Sequence, residues 1–572
     1  MEDKRTAIAV LLCIITVMFY SEYVLTPYTL EARRHAIEQQ HATQATSAIG
    51  QVAPSQTASV VGAPAPAAVS VPTLEEIAAS GLVTIETDLI SVTLSKLGGR
   101  IERFVLNRYK HHLGSDERYD MVSAASGVPL PLGIYTPTES DARTAYTVAS
   151  VSTGTIAADD RYSLSAGAPE FRLTLRGTLP SGVGVTKTYS FAPAAYLINV
   201  ETTLDQPTSS GAPVWLEWTH ALDPGEIHAR TDTHSFSVLD NDNSIQHVYD
   251  DSLSPALTDV GASRWVAYTD RYFIAALIPT GINGSGMIAK DPGTRAYIGR
   301  TAGTASGITA NVFIGPKDYR LLKSYTYNLE RSVDLGTFTF LAYPLLWLLR
   351  AFHDMLENWG LAIILLTLAI KALFLPLTKA SFDSMQAMQQ LQPEIKSLRE
   401  RITDPTQLNR EVMELYKRRG VNPVGGCLPV LIQIPVFLGL YNALLNSIEL
   451  RHAPFALWIN DLSSPEHLYV FGIGIPVMVL LMGASMVFQQ LTTPSTMDPA
   501  QKRIMLMVPI IFTISFVIFP FPAGLVLYWL VNNVISIIQQ IYLRSDIKVS
   551  PLKATAVASL GIFCFGFVLT LI

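Results

Sequence analysis

The apolar residues of this chain are gathered into runs long enough to cross a bilayer, and no soluble core requires that arrangement. A hydrocarbon core ~30 Å thick is spanned by a helix of roughly 20 apolar residues. Runs of about that length fall at 6–25, 359–377, 425–448, 469–489, 504–520 and 523–541, and a last one closes the chain at 554–572. The first lacks a small-residue cleavage site, because Tyr23-Val24-Leu25-Thr26-Pro27-Tyr28 is bulky, so it reads as an uncleaved signal anchor. Phe519-Pro520-Phe521-Pro522 leaves room only for a tight hairpin between the fifth and sixth runs.

Charge sets the orientation, since short cytoplasmic loops carry the excess of Lys and Arg. With the N-terminus inside, Lys379, Lys396, Arg399, Arg401, Arg410, Lys417, Arg418 and Arg419 fall inside, as do Lys502, Arg503, Arg544, Lys548 and Lys553. The 449–468 connection, with Arg451 alone, falls outside together with the large 26–358 region. Charged residues make up 15% of the 572, well below the ~25% usual for soluble domains, which disfavours an ordinary soluble enzyme. Forty-one Lys and Arg against 47 Asp and Glu leave no basic excess for a phosphate backbone, so nucleic acid is not expected as a partner. Cys13, Cys427 and Cys564 lie far apart in separate apolar runs and build neither a metal site nor a disulfide framework.

The outer region divides again. From His41 to Thr73 the chain is mostly Ala, Ser, Thr, Pro, Gln and Gly with almost no large apolar residue, which cannot bury a core, and 26–80 reads as a flexible tether after the 1–25 anchor. Beyond it Val83-Thr84-Ile85-Glu86, Ser91-Val92-Thr93-Leu94, Arg172-Leu173-Thr174-Leu175-Arg176 and Tyr196-Leu197-Ile198-Asn199-Val200 alternate as strands do. Turn-rich pieces such as Leu97-Gly98-Gly99 and Pro180-Ser181-Gly182 separate them, so 81–336 is expected to be a large β-sandwich. An amphipathic helix at the outer membrane surface is expected over 337–357, because Arg350 and Pro344 argue against a short spanning helix. The helical core then occupies 358–545, with a cytoplasmic hairpin at 380–421, and 546–572 is a basic linker with a candidate extra span.

No catalytic signature is present: no phosphate loop, no H-E-x-x-H zinc helix and no G-x-S-x-G elbow. A nucleotide-driven pump and an intramembrane metalloprotease are disfavoured, His452 and His467 read as surface residues, and neither cofactor nor metal is expected. The informative polar residues lie within the apolar runs. Lys371, about 12 residues into the second run, costs ~2.5–3.5 kcal/mol at such depth and needs a partner, water or a route to the interface. Its stem is long enough to snorkel over the ~10 Å to the cytoplasmic end. Thr367, Gln433, Asn442, Ser515, Asn532, Asn533, Ser536, Gln539 and Gln540 accompany it in helices otherwise rich in Leu, Ile and Val. Together they point to a wetted cavity, with interhelical hydrogen bonding as the plainer alternative. Met385, Met388, Leu391, Ile395, Leu398 and Ile402 recur at helical spacing, Asp404-Pro405 breaks the pattern, and Leu408, Val412 and Leu415 resume it. An antiparallel hairpin follows; its methionines either pack it or present an adaptable binding surface.

Longer motifs resemble a known family. Asn358-Trp359-Gly360-Leu361-Ala362-Ile363, Phe374-Leu375-Pro376-Leu377-Thr378-Lys379, Asn422-Pro423-Val424-Gly425-Gly426-Cys427-Leu428-Pro429, Gln433-Ile434-Pro435-Val436-Phe437, Ala453-Pro454-Phe455-Ala456-Leu457-Trp458-Ile459 and Pro522-Ala523-Gly524-Leu525-Val526-Leu527-Tyr528-Trp529 closely resemble the YidC membrane protein insertases. The outer region is similar through Trp265-Val266-Ala267 and Ile314-Gly315-Pro316-Lys317-Asp318-Tyr319. The resemblance implies a polytopic α-helical inner-membrane protein: a signal anchor, a five-helix core around a hydrophilic groove open to the cytoplasm and lipid, and a periplasmic β-supersandwich. It places the family's groove arginine on Lys371, its slide residues on Thr367 and Trp529, and its groove glutamine on Gln433. Lys keeps the charge but loses the planar fork of Arg, and Trp529 follows Tyr528 where a second Tyr is common.

The expected site is therefore Lys371, Thr367, Gln433, Tyr528, Trp529, Asn532 and Ser515 in the groove, with Met385, Met388 and Leu391 of the hairpin receiving substrate first. The implied partners are nascent integral membrane proteins, the Sec translocon and the lipid bilayer, with the ribosome as a further candidate. An assembly chaperone without autonomous insertion is the alternative, and a secondary transporter is disfavoured because no internal repeat is seen.

Overall fold

The computed structural model describes residues 71–544 except 123, 126, 153–155, 209–210, 222–233, 250–251, 282–283, 292–295, 337, 423–427 and 494–498; beyond 544 it describes residues 561, 562, 566 and 570. The 6–25 anchor and most of the 26–80 tether and of the 546–572 run lie outside the described residues. Two compact units divide the chain at Val333 and Asp334, a β unit before the boundary and a helical unit after it.

The last residues of the 26–80 stretch, beyond the Ala/Ser/Thr/Pro-rich run, are helical. Leu74–Ala79 is a helix, closed by a Thr73–Glu76 capping box and anchored by buried Ile77. Two sheets follow. In one, the spatial order is Arg118–Asp120, Arg100–Lys110, Ile90–Ser95, Leu82–Glu86, Arg161–Ser163 and Ile156–Ala158. The other runs through Gly133–Tyr135, Trp215–Ala221, Ala296–Ala302, Gly284–Lys290, Thr258–Thr269, Phe273–Pro279, Gly307–Pro316, Leu197–Leu204, Gly184–Phe191, Phe171–Thr178 and Tyr146–Val151. Ser235–Asp240 and Ile245–Tyr249 pair off that path, giving 13 strands. Pairing is antiparallel throughout this sheet, and in Phe171–Thr178 the residues Phe171, Leu173 and Leu175 are buried while Arg172 and Arg176 face solvent. Trp218, Trp265, Tyr189, Phe104 and Phe313 fill the core, and the Trp265 indole donates to the Tyr327 carbonyl at 2.9 Å.

Buried charge is concentrated at one place in this unit. Asp141 accepts from Arg100 at 2.8 and 3.2 Å, lies 2.5 Å from the Lys187 ammonium, and also accepts from the Tyr146 hydroxyl and the Ile134 amide. The Tyr135 ring lies between Arg100 and Arg300, and Arg300 donates to Glu217 at 2.7 Å. Gly133 has to be glycine, since a Cβ would stand 2.1 Å from the Arg100 guanidinium carbon. Burial pulls Lys187 down to about 8 against the opposing attraction of Asp141.

A second buried group gives this unit a pH dependence. The His220 ring stacks on Tyr268 at 4.3 Å and its Nδ1 lies 3.3 Å from the Met121 carbonyl. Burial, with His234 adding to it, pulls His220 from 6.5 down to about 4. Above pH 6.5 the ring is neutral folded or unfolded, so it contributes no slope. Between 6.5 and 4 the unfolded chain binds the proton more tightly, and stability falls as pH falls. The expected loss is about 3 kcal/mol by pH 4, since each pH step of one across that window removes at most ~1.4 kcal/mol. His220→Phe should flatten that part of a denaturation profile; an unchanged slope would remove His220 as its source.

The helical unit is built from α1 (Thr339–Leu356), α2 (Trp359–Leu373), α3 (Leu375–Gln390), α4 (Gln392–Arg401), α5 (Pro405–Arg418), α6 (Leu428–Leu445), α7 (Val477–Thr492), α8 (Pro499–Ile518) and α9 (Ala523–Arg544). In α1, Ala342, Leu345, Leu346 and Leu349 face inward and Phe340, Trp347 and Met355 face out, as an interfacial helix requires. Arg350 differs from its expected place on a polar face: it is buried, with its Nε donating to Glu449 at 2.7 Å. The Asn358 side chain caps α2 by accepting from Leu361, and its amide donates to the Phe455 carbonyl.

The run expected as one span at 359–377 is broken. α2 and α3 meet at Phe374 with a bend of 59°, because Pro376 has no N–H for the carbonyl four residues back and its ring would clash there. Among the described helices, α9 is long and apolar enough to span by itself over Ala523–Leu543, and α2 with α3 qualifies as a bent pair. Ile432–Leu445, Val477–Thr492 and Arg503–Ile518 are shorter apolar stretches. α7 starts later than the run at 469 because Leu468–Val470 and Ile473–Ile475 form a β-hairpin. In the 380–421 segment Leu391, Ile395 and Leu415 make a small core with Leu398, Val412, Tyr416 and Val421, so the hairpin proper is α4 against α5.

Candidate functional site

The helical unit encloses a cavity of about 590 Å³. α9 provides its polar face, where Tyr528 or Trp529, Asn532 or Asn533, Ser536 and Gln540 recur every three or four residues and stay on one side of the helix. The Lys371 ammonium, in the last turn of α2, donates to Ser536 Oγ at 2.8 Å, and that hydroxyl donates to the Asn532 carbonyl at 2.8 Å. The Asn532 side chain accepts from Gln433 of α6 at 2.9 Å. Asn533 donates to Ser485 of α7 at 3.1 Å, and Gln540 accepts from Thr492 at 2.9 Å. Lys371 is thus held inside rather than snorkelling, although the bend leaves it only two residues from the end of its helix.

Electrostatically the cavity is one-sided. Lys371 is the sole charged group among its described lining residues, and no carboxylate in the described residues pairs with it. Amides and hydroxyls make up the remaining polar lining. Such groups hydrate or solvate either sign, so the lone ammonium sets the preference for an anionic guest.

The apolar side has its own geometry. α6 packs mainly on α1 and α8 mainly on α7, so little direct packing joins α6 to α8. Trp529 of α9 bridges the two, with ring centroids 4.7 Å from Phe437 of α6 and 4.8 Å from Phe512 of α8. Phe516 lies edge-on at 5.7 Å. On the same two helices Ile434, Leu438, Ile510 and Ile514 are exposed, the surface expected of helices facing acyl chains. Gly483 allows α7 and α8 to touch, since a Cβ there would lie 2.1 Å from Thr513 Oγ1.

Of the expected groove residues, Lys371, Gln433, Tyr528, Trp529 and Asn532 line the cavity. Thr367 does not: it is fully buried and its hydroxyl donates back to the Ile363 carbonyl one turn earlier. Ser515, half-buried on α8, lies outside the lining as well. Met385 of α3 reaches the cavity beside Ser381 and Phe382, whereas Met388 is half-buried away from it and Leu391 belongs to the α4–α5 core. Sequence reasoning missed Gln489 and Thr493, although Ser485, Gln489 and Thr493 keep a four-residue spacing at the polar end of an apolar run. It also missed Ile434 and Phe437, which are indistinguishable by type from ordinary lipid-facing residues.

A helical unit with apolar helices around a cavity that carries one cation among amides and hydroxyls, in one chain with a large β-sandwich, defines a polytopic membrane protein with an outer β domain. The family model described as "60Kd inner membrane protein" matches residues 351–550, and the one described as "YidC periplasmic domain" matches 82–348. Relatives named membrane protein insertase YidC include those of Geobacter sulfurreducens, 39% identical over 82% of this chain and 87% of the relative, and Pelobacter propionicus, 36% identical over 95% and 99%. That of Geobacter metallireducens is 35% identical over 96% of this chain and all of the relative. The chain belongs to the YidC family of membrane protein insertases. It is an inner-membrane insertase with a periplasmic β domain, its substrates are nascent membrane proteins, and insertases of this kind are not classical enzymes.

Proposed function

We propose that the cavity takes up the polar, acidic flank of a nascent membrane segment while the apolar segment leaves between α6 and α8. The observation that carries this reading is the ammonium of Lys371, with no carboxylate partner among the described residues, set among neutral amides and hydroxyls beside the Phe437–Trp529–Phe512 aromatic cluster. A polar flank inside the cavity crosses a shorter stretch of hydrocarbon, and Lys371 attracts its carboxylates in a setting of low dielectric. The apolar segment, sliding past Phe437, Trp529 and Phe512, gains ~25 cal/mol for each Å² it buries in lipid, so no nucleotide is required.

In this reading the N-terminus is cytoplasmic, the α3–α5 segment faces the cytoplasm, and the 449–476 connection faces the periplasm, as the distribution of Lys and Arg supports. Met385 stands where a substrate would enter. The ribosome and the Sec translocon are the partners expected to deliver substrates, with insertion also proceeding unaided.

A photo-crosslinking amino acid separates the groove from the helices around it. Placed at Gln433 or Trp529 it should capture a nascent single-span chain; placed at Thr367, turned away from the cavity, it should not. Equal capture at all three positions would refute the assignment of the lining.

A further inference from the structure

We propose that the hairpin Leu468–Val470 and Ile473–Ile475 is a lipid anchor that seats Phe471 in the outer leaflet, at the boundary between headgroups and acyl chains. Its two strands pair in register, Val470 opposite Ile473, around a two-residue turn of Phe471 (φ +52°) and Gly472 (φ +80°). Both turn residues need positive φ, a position that ordinarily selects Asn, Asp or Gly. A bulky apolar residue is strained there, and here its ring is also fully exposed. Tyr469 and Ile473 beside it are 73% and 68% exposed. Water would select against each of these choices, and together they make one continuous apolar tip.

Three further observations identify lipid as the occupant. From Leu468 to Met497 the chain carries no charged residue, so the tip is continuous in composition with α7, which starts at Val477. The 16 residues of α7 rise about 24 Å, some 6 Å less than a ~30 Å hydrocarbon core, and the hairpin fills the missing depth on the outer side. Its mounting is firm: Glu466 accepts from the Trp458 indole at 2.7 Å and from the Met478 amide at 2.6 Å, tying the base of the hairpin to the first turn of α7. The outer edges of a two-stranded ribbon keep unpaired N–H and C=O groups, which limits the anchor to the boundary, ~5–10 Å deep, rather than the hydrocarbon centre.

This inference rests on the orientation given above, and the experiment tests the two separately. A nitroxide amino acid is introduced at Phe471, and in a second variant at Tyr469, of the full chain in phosphatidylethanolamine–phosphatidylglycerol vesicles, with Asn460 as an exposed reference. Collisions with oxygen should exceed those with a water-soluble nickel chelate at 471 and 469, and the reverse should hold at 460. Nickel accessibility at 471 and 469 equal to that at 460 would overturn the anchor, and so would spin–spin broadening that reports contact between two copies. Asn460→Cys, labelled in spheroplasts by an impermeant maleimide with the unsubstituted chain as blank, reads the side. Labelling only after lysis would overturn the orientation, and the outer-leaflet anchor with it.

Discussion

Lys371→Ala will lower insertion of a single-span substrate with an acidic translocated tail about tenfold, while Lys371→Arg will hold it near the starting level. The ammonium is buried, is the only charge on the described lining, and rests on one hydroxyl, that of Ser536. At an effective dielectric near 20, a carboxylate brought to about 4 Å gains ~4 kcal/mol of attraction. A tenfold change is ~1.4 kcal/mol, so even a fleeting or water-separated encounter accounts for it. Alanine should cost little in folding, because Ser536 keeps its bond to the Asn532 carbonyl. Arginine keeps the charge and has a 590 Å³ cavity to occupy. Protease protection of the tail in nucleotide-free vesicles is the measurement, with a neutral-tailed substrate expected to be insensitive. Equal insertion of the acidic tail by all three versions would leave the cavity without an electrostatic role.

Asp141→Ala will destabilise the β unit by about 3–5 kcal/mol, the range for removing one partner of a buried ion pair. The loss strands two cations at once: Arg100 and Lys187 are both buried, and both lean on this carboxylate. The Tyr146 hydroxyl and Ile134 amide lose an acceptor as well. Glu170→Ala, which breaks the solvent-exposed pair with Arg172, is the reference and should cost only about 0–1 kcal/mol. Urea unfolding of the full chain, followed by the indoles of Trp218 and Trp265, distinguishes them. Similar midpoints for the two variants would show that the buried cluster does not stabilise the fold.

What could be read from the sequence divides along physical lines. Membrane helices announce themselves by composition, and strand alternation survives wherever one face is buried, as in Phe171–Thr178, so the two-part architecture was legible. The buried salt-bridge cluster was not: Arg100, Asp141, Lys187, Glu217 and Arg300 are widely scattered along the chain, and nothing local marks a charge as buried. Lys371, Gln433 and Asn532 were found because polar groups stand out in an apolar run. Thr367 was drawn in by the same logic, yet a threonine can satisfy its hydroxyl on its own helix, and this one does. The break after Leu373 was hidden by hydropathy, which counts apolar residues through Phe374 and Leu375 and is blind to the backbone donor missing at Pro376.

That break sets the two ends of the cavity on separate rods joined at one residue. The peptide at Phe374 ends the helix that carries Lys371 and begins the one that carries Met385, eleven residues away and so about 16 Å along a rigid rod. A tilt of about 10° at this point sweeps Met385 through ~3 Å, roughly the width of an apolar side chain, while Lys371 stays in place against Ser536. An arm jointed in this way would adjust the width beside Met385 by rotation about one residue, and the helices that hold the cation would not need to slide.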